Sequence, residues 1–124
     1  MPEVYRVVIH PFAKKHFLKD LTKKHKNKWS TTEDAIKDML RRPDRTIKTS
    51  RLETVTQDGD IRIAKGYFKI SGETASFRAS GHRFIARLDD TMRTAELLLV
   101  YHKNHIKGQN ETAWWRGLVR DLRQ

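Results

Sequence analysis

Residues 77–103 read FRASGHRFIARLDDTMRTAELLLVYHK, the pattern of a β-hairpin at the centre of a sheet. Arg83 to Leu88 carries Phe84, Ile85 and Leu88 on a short run bounded by glycine and acids, which predicts a strand. Asp89-Asp90-Thr91 supplies turn residues, and Glu96 to Tyr101 forms the second strand. Within it Leu97-Leu98-Leu99-Val100 is continuously apolar rather than alternating, as expected of a central strand covered on both faces.

Working toward the N-terminus, Ser76 to Ala79 reads as a further strand, Ser71-Gly72 as a turn, and Ile61 to Ile70 as a strand in which Gly66 marks a bulge. Asp58-Gly59 is a hairpin-type turn, and Ile47 to Val55 is the strand candidate before it. Before Pro43 the apolar period lengthens from two to three or four. Ser30 and Glu33 have capping-box spacing at the head of a helix with Ile36, Met39 and Leu40 on its apolar face, closed by Arg41, Arg42 and Pro43. Ala13, Phe17, Leu18 and Leu21 define an earlier helix from Pro11 to about His25, whose other stripe is Lys15, Lys19 and Lys23. Val4 to Ile9, stopped by Pro11, is an opening strand. Toward the C-terminus, Asn110 can cap a helix running to about Leu122, with Trp115, Leu118, Val119 and Leu122 on one face and Arg116, Arg120 and Arg123 on another. The class is therefore α+β. An N-terminal strand and a two-helix hairpin pack on an antiparallel β-sheet, with an additional C-terminal helix, in one domain spanning 1–124.

Composition narrows the function. The chain has 26 Lys and Arg against 15 acids, a net charge of +11, and no cysteine. The charge favours a polyanionic partner, and RNA phosphates are the expectation. Lacking cysteine, the chain has no disulfide framework, thiolate zinc site or cysteine nucleophile. No apolar run reaches membrane-spanning length and no signal-peptide pattern opens the chain, so a cytoplasmic protein without a membrane partner is expected. Phosphate-binding loops, dinucleotide glycine patterns and serine elbows are absent, and no small-molecule cofactor is expected.

The hairpin residues Phe77-Arg78-Ala79-Ser80-Gly81-His82-Arg83-Phe84-Ile85, the acidic turn and Leu97-Leu98-Leu99-Val100-Tyr101-His102-Lys103 resemble the central hairpin of the RelE/ParE toxin superfamily, with His82 in place of the usual aromatic before Arg83. The element order is similar too. The resemblance implies a metal-independent endoribonuclease that cleaves mRNA on the ribosome by attack of the 2′-hydroxyl on the adjacent phosphate, neutralised by a cognate antitoxin. It places Arg83 at the phosphate-contacting position, because a guanidinium keeps its charge and binds two oxygens at once. Lys103 falls near the second basic position, flanked by His102 and His105, whose side chains can transfer protons near neutral pH. Arg78, Arg87, Lys65 and Lys69 are further candidate RNA contacts, with Lys15, Lys19 and Lys23 on the first helix. The lysines that precede this hairpin in ribosome-dependent members fall here on Thr74 and Ser76. The alternatives are a ParE-like topoisomerase inhibitor without chemistry and a nontoxic RNA-binding module of the same fold.

Two patterns invite other readings. His102 and His105 are spaced like zinc ligands, but no nearby acid or cysteine completes a set, so no metal is expected. Trp114 and Trp115 could stack on bases, yet Trp115 shares helical spacing with leucine and valine and is expected in the core.

Overall fold

The computed structural model describes residues 4–106 and 110–122. Its strands are β1 (Arg6–Ile9), β2 (Leu52–Asp58), β3 (Ile61–Phe68), β4 (His82–Asp89) and β5 (Thr94–His102). They form one sheet in the order β1-β5-β4-β3-β2. Only the β1–β5 pair is parallel; the others are antiparallel. The two turns expected between β2 and β3 and between β4 and β5 are present. Gly59 takes the left-handed conformation in the first (φ 59°), and in the second Asp89 Oδ1 accepts from the backbone N–H groups of Thr91 and Met92.

The helices are α1 (residues 11–25), α2 (Asn27–Arg41), α3 (Pro43–Lys48) and α4 (Glu111–Leu122). Helix α1 opens on Pro11–Ala13, passes through a π-helical turn at Lys14–Leu18 and continues as Lys19–His25. The sheet is covered on both faces, so the leucine run of β5 is buried throughout. On one face Trp29, Ile36 and Leu40 of α2 and Leu18 of α1 join Phe68, Phe84, Leu88 and Val100. On the other, Trp115 and Val119 of α4 join Ile63, Ile85, Leu98, Leu99 and Tyr101. As expected, Asn110 Oδ1 caps α4 by accepting from the Ala113 N–H at 3.1 Å.

Four local expectations are corrected. Ser30 is not an N-cap: α2 begins at Asn27 because Trp29, 2% exposed, must already be helical to meet Phe68 edge-on at 6.1 Å. Glu33 instead faces Lys37 one turn on, at 3.6 Å. Ile47 lies in α3, not in a strand, since Pro43 starts a new helix at its first position and Thr46 Oγ1 ties that helix to the Met39 and Arg42 carbonyls. Ser76 to Ala79 is a turn, closed by the Ser80 hydroxyl, which donates toward the Phe68 and Phe77 carbonyls. Gly66 marks no bulge on β4, because its register with Phe84 is unbroken. There the Phe84 ring lies over the glycine where any Cβ would stand, and the irregularity lies on β2 between Thr54 and Thr56, across from Ala64 and Ile63.

An ion pair with a buried arginine locks the far end of the sheet. Arg62 of β3, 8% exposed, donates to Asp90 Oδ1 through Nε (3.2 Å) and Nη2 (2.8 Å), while the Tyr5 hydroxyl donates to the same oxygen at 2.6 Å.

Candidate nucleic-acid interface

Register builds the site. Tyr67, Arg83 and Tyr101 are direct cross-strand partners on β3, β4 and β5, and they share the face that α4 covers. Arg83 is 7% exposed. Its Nη1 donates to the His82 carbonyl and its Nη2 to the Arg78 carbonyl, both at 3.1 Å, and its guanidinium carbon lies 4.5 Å from the Tyr67 ring centre. Its Nε is buried with no partner among the described residues. The exposed Arg78 places its guanidinium 4.2 Å from the same ring, so one tyrosine holds two guanidinium groups.

Lys65, two residues before Tyr67, points the same way. Its Nζ meets Glu111 Oε2 of α4 at 2.7 Å, and the Tyr101 hydroxyl donates to that oxygen at 2.7 Å. Burial pushes the Tyr101 hydroxyl far above its ordinary range, and the Glu111 carboxylate pushes it further. Burial likewise raises Tyr67, helped by its bond to Glu53 Oε1 at 2.8 Å. Burial alone would raise Glu111, but Lys65, Tyr101 and Arg83 outweigh it and hold the carboxyl below its usual value. The face thus combines fixed cations, a firmly ionised carboxylate and two hydroxyl donors.

Other candidates are dispersed. Arg87 shares the Arg83 face, across from Glu96 on β5, and its Nε is buried without a partner among the described residues. Lys69 lies past the end of β3, its Nζ 5.2 Å above Phe77, whose ring also carries Arg51 at 4.0 Å. Lys15, Lys19 and Lys23 are exposed on α1, which packs beside β5.

His102 is not brought to Arg83. It pairs with His82 and turns to the opposite face, where the two rings lie 4.8 Å apart and His82 stacks on Phe68 at 5.2 Å. His102 Nδ1 accepts from the Asn104 N–H at 3.1 Å and its Nε2 lies 2.9 Å from the Ser80 carbonyl, an arrangement that puts the proton on Nε2. Lys103 is exposed, and its N–H donates to the Gly81 carbonyl. The His105 side chain and Arg123 lie outside the described residues. Among the described residues no group of three or more His, Cys, Asp or Glu side chains is placed to hold a metal, and no helix is long and apolar enough to cross a membrane.

No family model matches the sequence, and no curated protein matches it. The architecture does match a solved one: a chain in the crystal structure of the archaeal RelE-RelB complex from Pyrococcus horikoshii OT3, with a TM-score of 0.56 and 17% identity. The match covers 83% of this chain and 99% of that one. The chain has a RelE-like fold. With this RelE-like fold, Tyr67, Tyr101, Glu53 and Glu111 surround the candidate site, and sequence reasoning missed them. Tyr67 and Tyr101 were visible as strand aromatics, but only the register places them beside Arg83. Glu111 carried no signal beyond its place in the first turn of α4.

Proposed function

We propose that this chain is an RNA-directed toxin of the RelE kind, a metal-independent endoribonuclease that acts on mRNA at the ribosome and is held inactive by an antitoxin. The observation that carries this reading is the Tyr67–Arg83–Tyr101 row with Arg78 and Lys65 around it, on a chain of net charge +11. Arg83 and Arg78 would hold the scissile phosphate, and Arg87 the next along the strand. The Glu111 carboxylate would take the 2′-hydroxyl proton, and the Lys65 ammonium would give one to the departing 5′-oxygen. Because His102 pairs with His82 on the other face, this reading assigns proton transfer to groups on the Arg83 side. Lys103, Lys69 and the α1 lysines would add attraction from outside the site. The antitoxin is suggested by the RelE-RelB complex in which the matching fold occurs.

The test is cleavage mapped at nucleotide resolution on translating ribosomes. Arg83→Ala should lower the rate by about 100- to 1000-fold, and Arg83→Lys should recover part of it, keeping the charge without the two-point contact. Cleavage by Arg83→Ala at the wild-type rate refutes the assignment. A second reading, the ParE-like topoisomerase inhibitor, is favoured by one observation: Lys65, Glu111, Tyr101 and Arg83 already bond to one another or to backbone. Growth arrest with topoisomerase binding and no cleaved RNA would put that reading in its place.

A further inference from the structure

Around the ends of β4 and β5, residues of α1, Trp114 of α4 and the side of the sheet away from Arg83 line a cleft of about 650 Å³. Pockets of roughly 300 to 1,000 Å³ take drug-sized and nucleotide-sized ligands. Its walls are aromatic: Phe68 with His82 stacked on it, and Trp114, which packs edge-on against Tyr101. Two carboxylates, Asp20 and Glu73, face the same space. Asp20 has no hydrogen-bond or ion-pair partner among the described residues, and Glu73 Oε1 has only His82 Nε2, at 3.2 Å. Burial lowers the His82 pKa, so this imidazole disfavours the charged form beside Glu73. The backbone is specialised here as well. The π-helical turn Lys14–Leu18, a form frequent at functional sites, carries His16, which lines the cleft.

These features select a ligand. Apart from its histidines, the cleft holds one cation, Lys24, against two carboxylates, so a phosphate is disfavoured inside. A metal has no ligand set among the described residues. A flat, neutral heterocycle meets both requirements, stacking on the aromatic walls and offering N–H donors to the carboxylates. We propose that this cleft receives an unstacked nucleobase bearing an exocyclic amino group, which Glu73 and Asp20 accept. Adenine, cytosine and guanine carry such a group. Uracil presents carbonyl oxygens in its place, and these flank its single ring N–H and oppose the approach of a carboxylate. The proposal rests on the RNA reading only for the base being part of a polymer, and it would add base preference to a phosphate-binding face that reads none.

Nucleosides test it without phosphate, so the Arg83 face contributes nothing. The full chain is titrated at pH 7.5 with adenosine, cytidine, guanosine and uridine by saturation-transfer NMR and calorimetry. The amino-bearing nucleosides should bind at least about tenfold more tightly than uridine, the scale of one hydrogen bond to a charged group. The double variant Asp20→Ala, Glu73→Ala should erase that preference while its melting temperature stays near wild type. Arg83→Ala should leave nucleoside affinity unchanged and weaken only an oligoribonucleotide. Absence of nucleoside binding at millimolar concentration, equal binding of uridine, or a preference that survives in the double variant overturns the proposal. Oligoribonucleotide binding that depends on Arg83, with no nucleoside binding, would sink the cleft and spare the RNA reading; the reverse result would do the opposite.

Discussion

Trp115 joins the stability of the fold to access to the candidate site, and Trp115→Ala separates the two roles a tryptophan could have here. The residue is 2% exposed and sits in the cluster formed by α4 with Ile63, Ile85, Leu98, Leu99 and Tyr101. Truncating a buried aromatic costs about 3 to 5 kcal/mol. Trp115 Nε1 is buried without an acceptor among the described residues, and removing an orphaned donor returns roughly 1 kcal/mol, which favours the lower end, about 3 kcal/mol. For a chain of this size that is a fall in melting temperature of roughly 12 °C. Undocking of α4 would also separate Glu111 from Lys65 and Tyr101, freeing the Lys65 ammonium on the Arg83 face. The expected pair of results is therefore a lower midpoint in thermal unfolding and an equal or tighter affinity for an oligoribonucleotide measured well below that midpoint. An unchanged midpoint together with a large loss of RNA affinity would mean that Trp115 stacks on bases, and the packing argument would be refuted.

Asp90→Ala should destabilise by about 3 kcal/mol in urea titration, because it leaves the Arg62 guanidinium buried without its main partner; a change within experimental error would show that Arg62 reaches water. Acidification should lower stability in two stages. His82 and His25 have folded pKa values below 6.5, so their contribution is complete above 6.5 and is lost as pH falls through the window beneath it, where the unfolded chain binds the proton first. Asp90 and Glu111, held below 3.8 and 4.5, add a second loss at lower pH, and His82→Asn should flatten the first stage in urea midpoints across pH. Replacing Lys15, Lys19 and Lys23 together by Gln should make the dependence of log RNA affinity on log salt shallower, by about 0.7 to 0.9 for each residue that contacts phosphate, with no change in unfolding midpoint; an unchanged slope would place RNA elsewhere.

The strands, the order of elements and the C-terminal helix were legible because each had a local cause: alternation, a turn residue, or Asn110 ahead of an amphipathic run. The helix starts were less so. Ser30 offered a better capping residue than Lys26, which precedes the helix, but burial of Trp29 outweighed a cap worth about 1 kcal/mol and set the boundary earlier. Ser76 to Ala79 looked like strand because Phe77 and Ala79 alternate with Arg78, yet the Ser80 hydroxyl reaches the Phe68 carbonyl and folds that segment into a turn.

The composition of the site was hidden by a single residue. Strict alternation from Leu97, which joins the cluster under α2, would send Leu99 and Tyr101 to that face, and Leu98, Val100 and His102 to the face of Arg83. That parity would place His102 beside Arg83, as the sequence-based grouping required. Instead the β4–β5 register slips by one residue: Ala86 pairs with Leu97, but Ile85 pairs with Leu99, leaving Leu98 unpaired in a bulge. Leu98 and Leu99 both enter the cluster under α4, while Val100 returns to the other. Everything beyond the bulge changes side. Tyr101 arrives across from Arg83 and finds Glu111, and His102 arrives across from His82 in the cleft behind. Nothing in Leu97-Leu98-Leu99-Val100 marks where the extra residue falls, since all four are apolar and any of them could be the unpaired one. The same four residues that made the central strand easy to recognise therefore concealed which chemistry it carries to each face, and His102 was separated from Arg83 by a shift of one position.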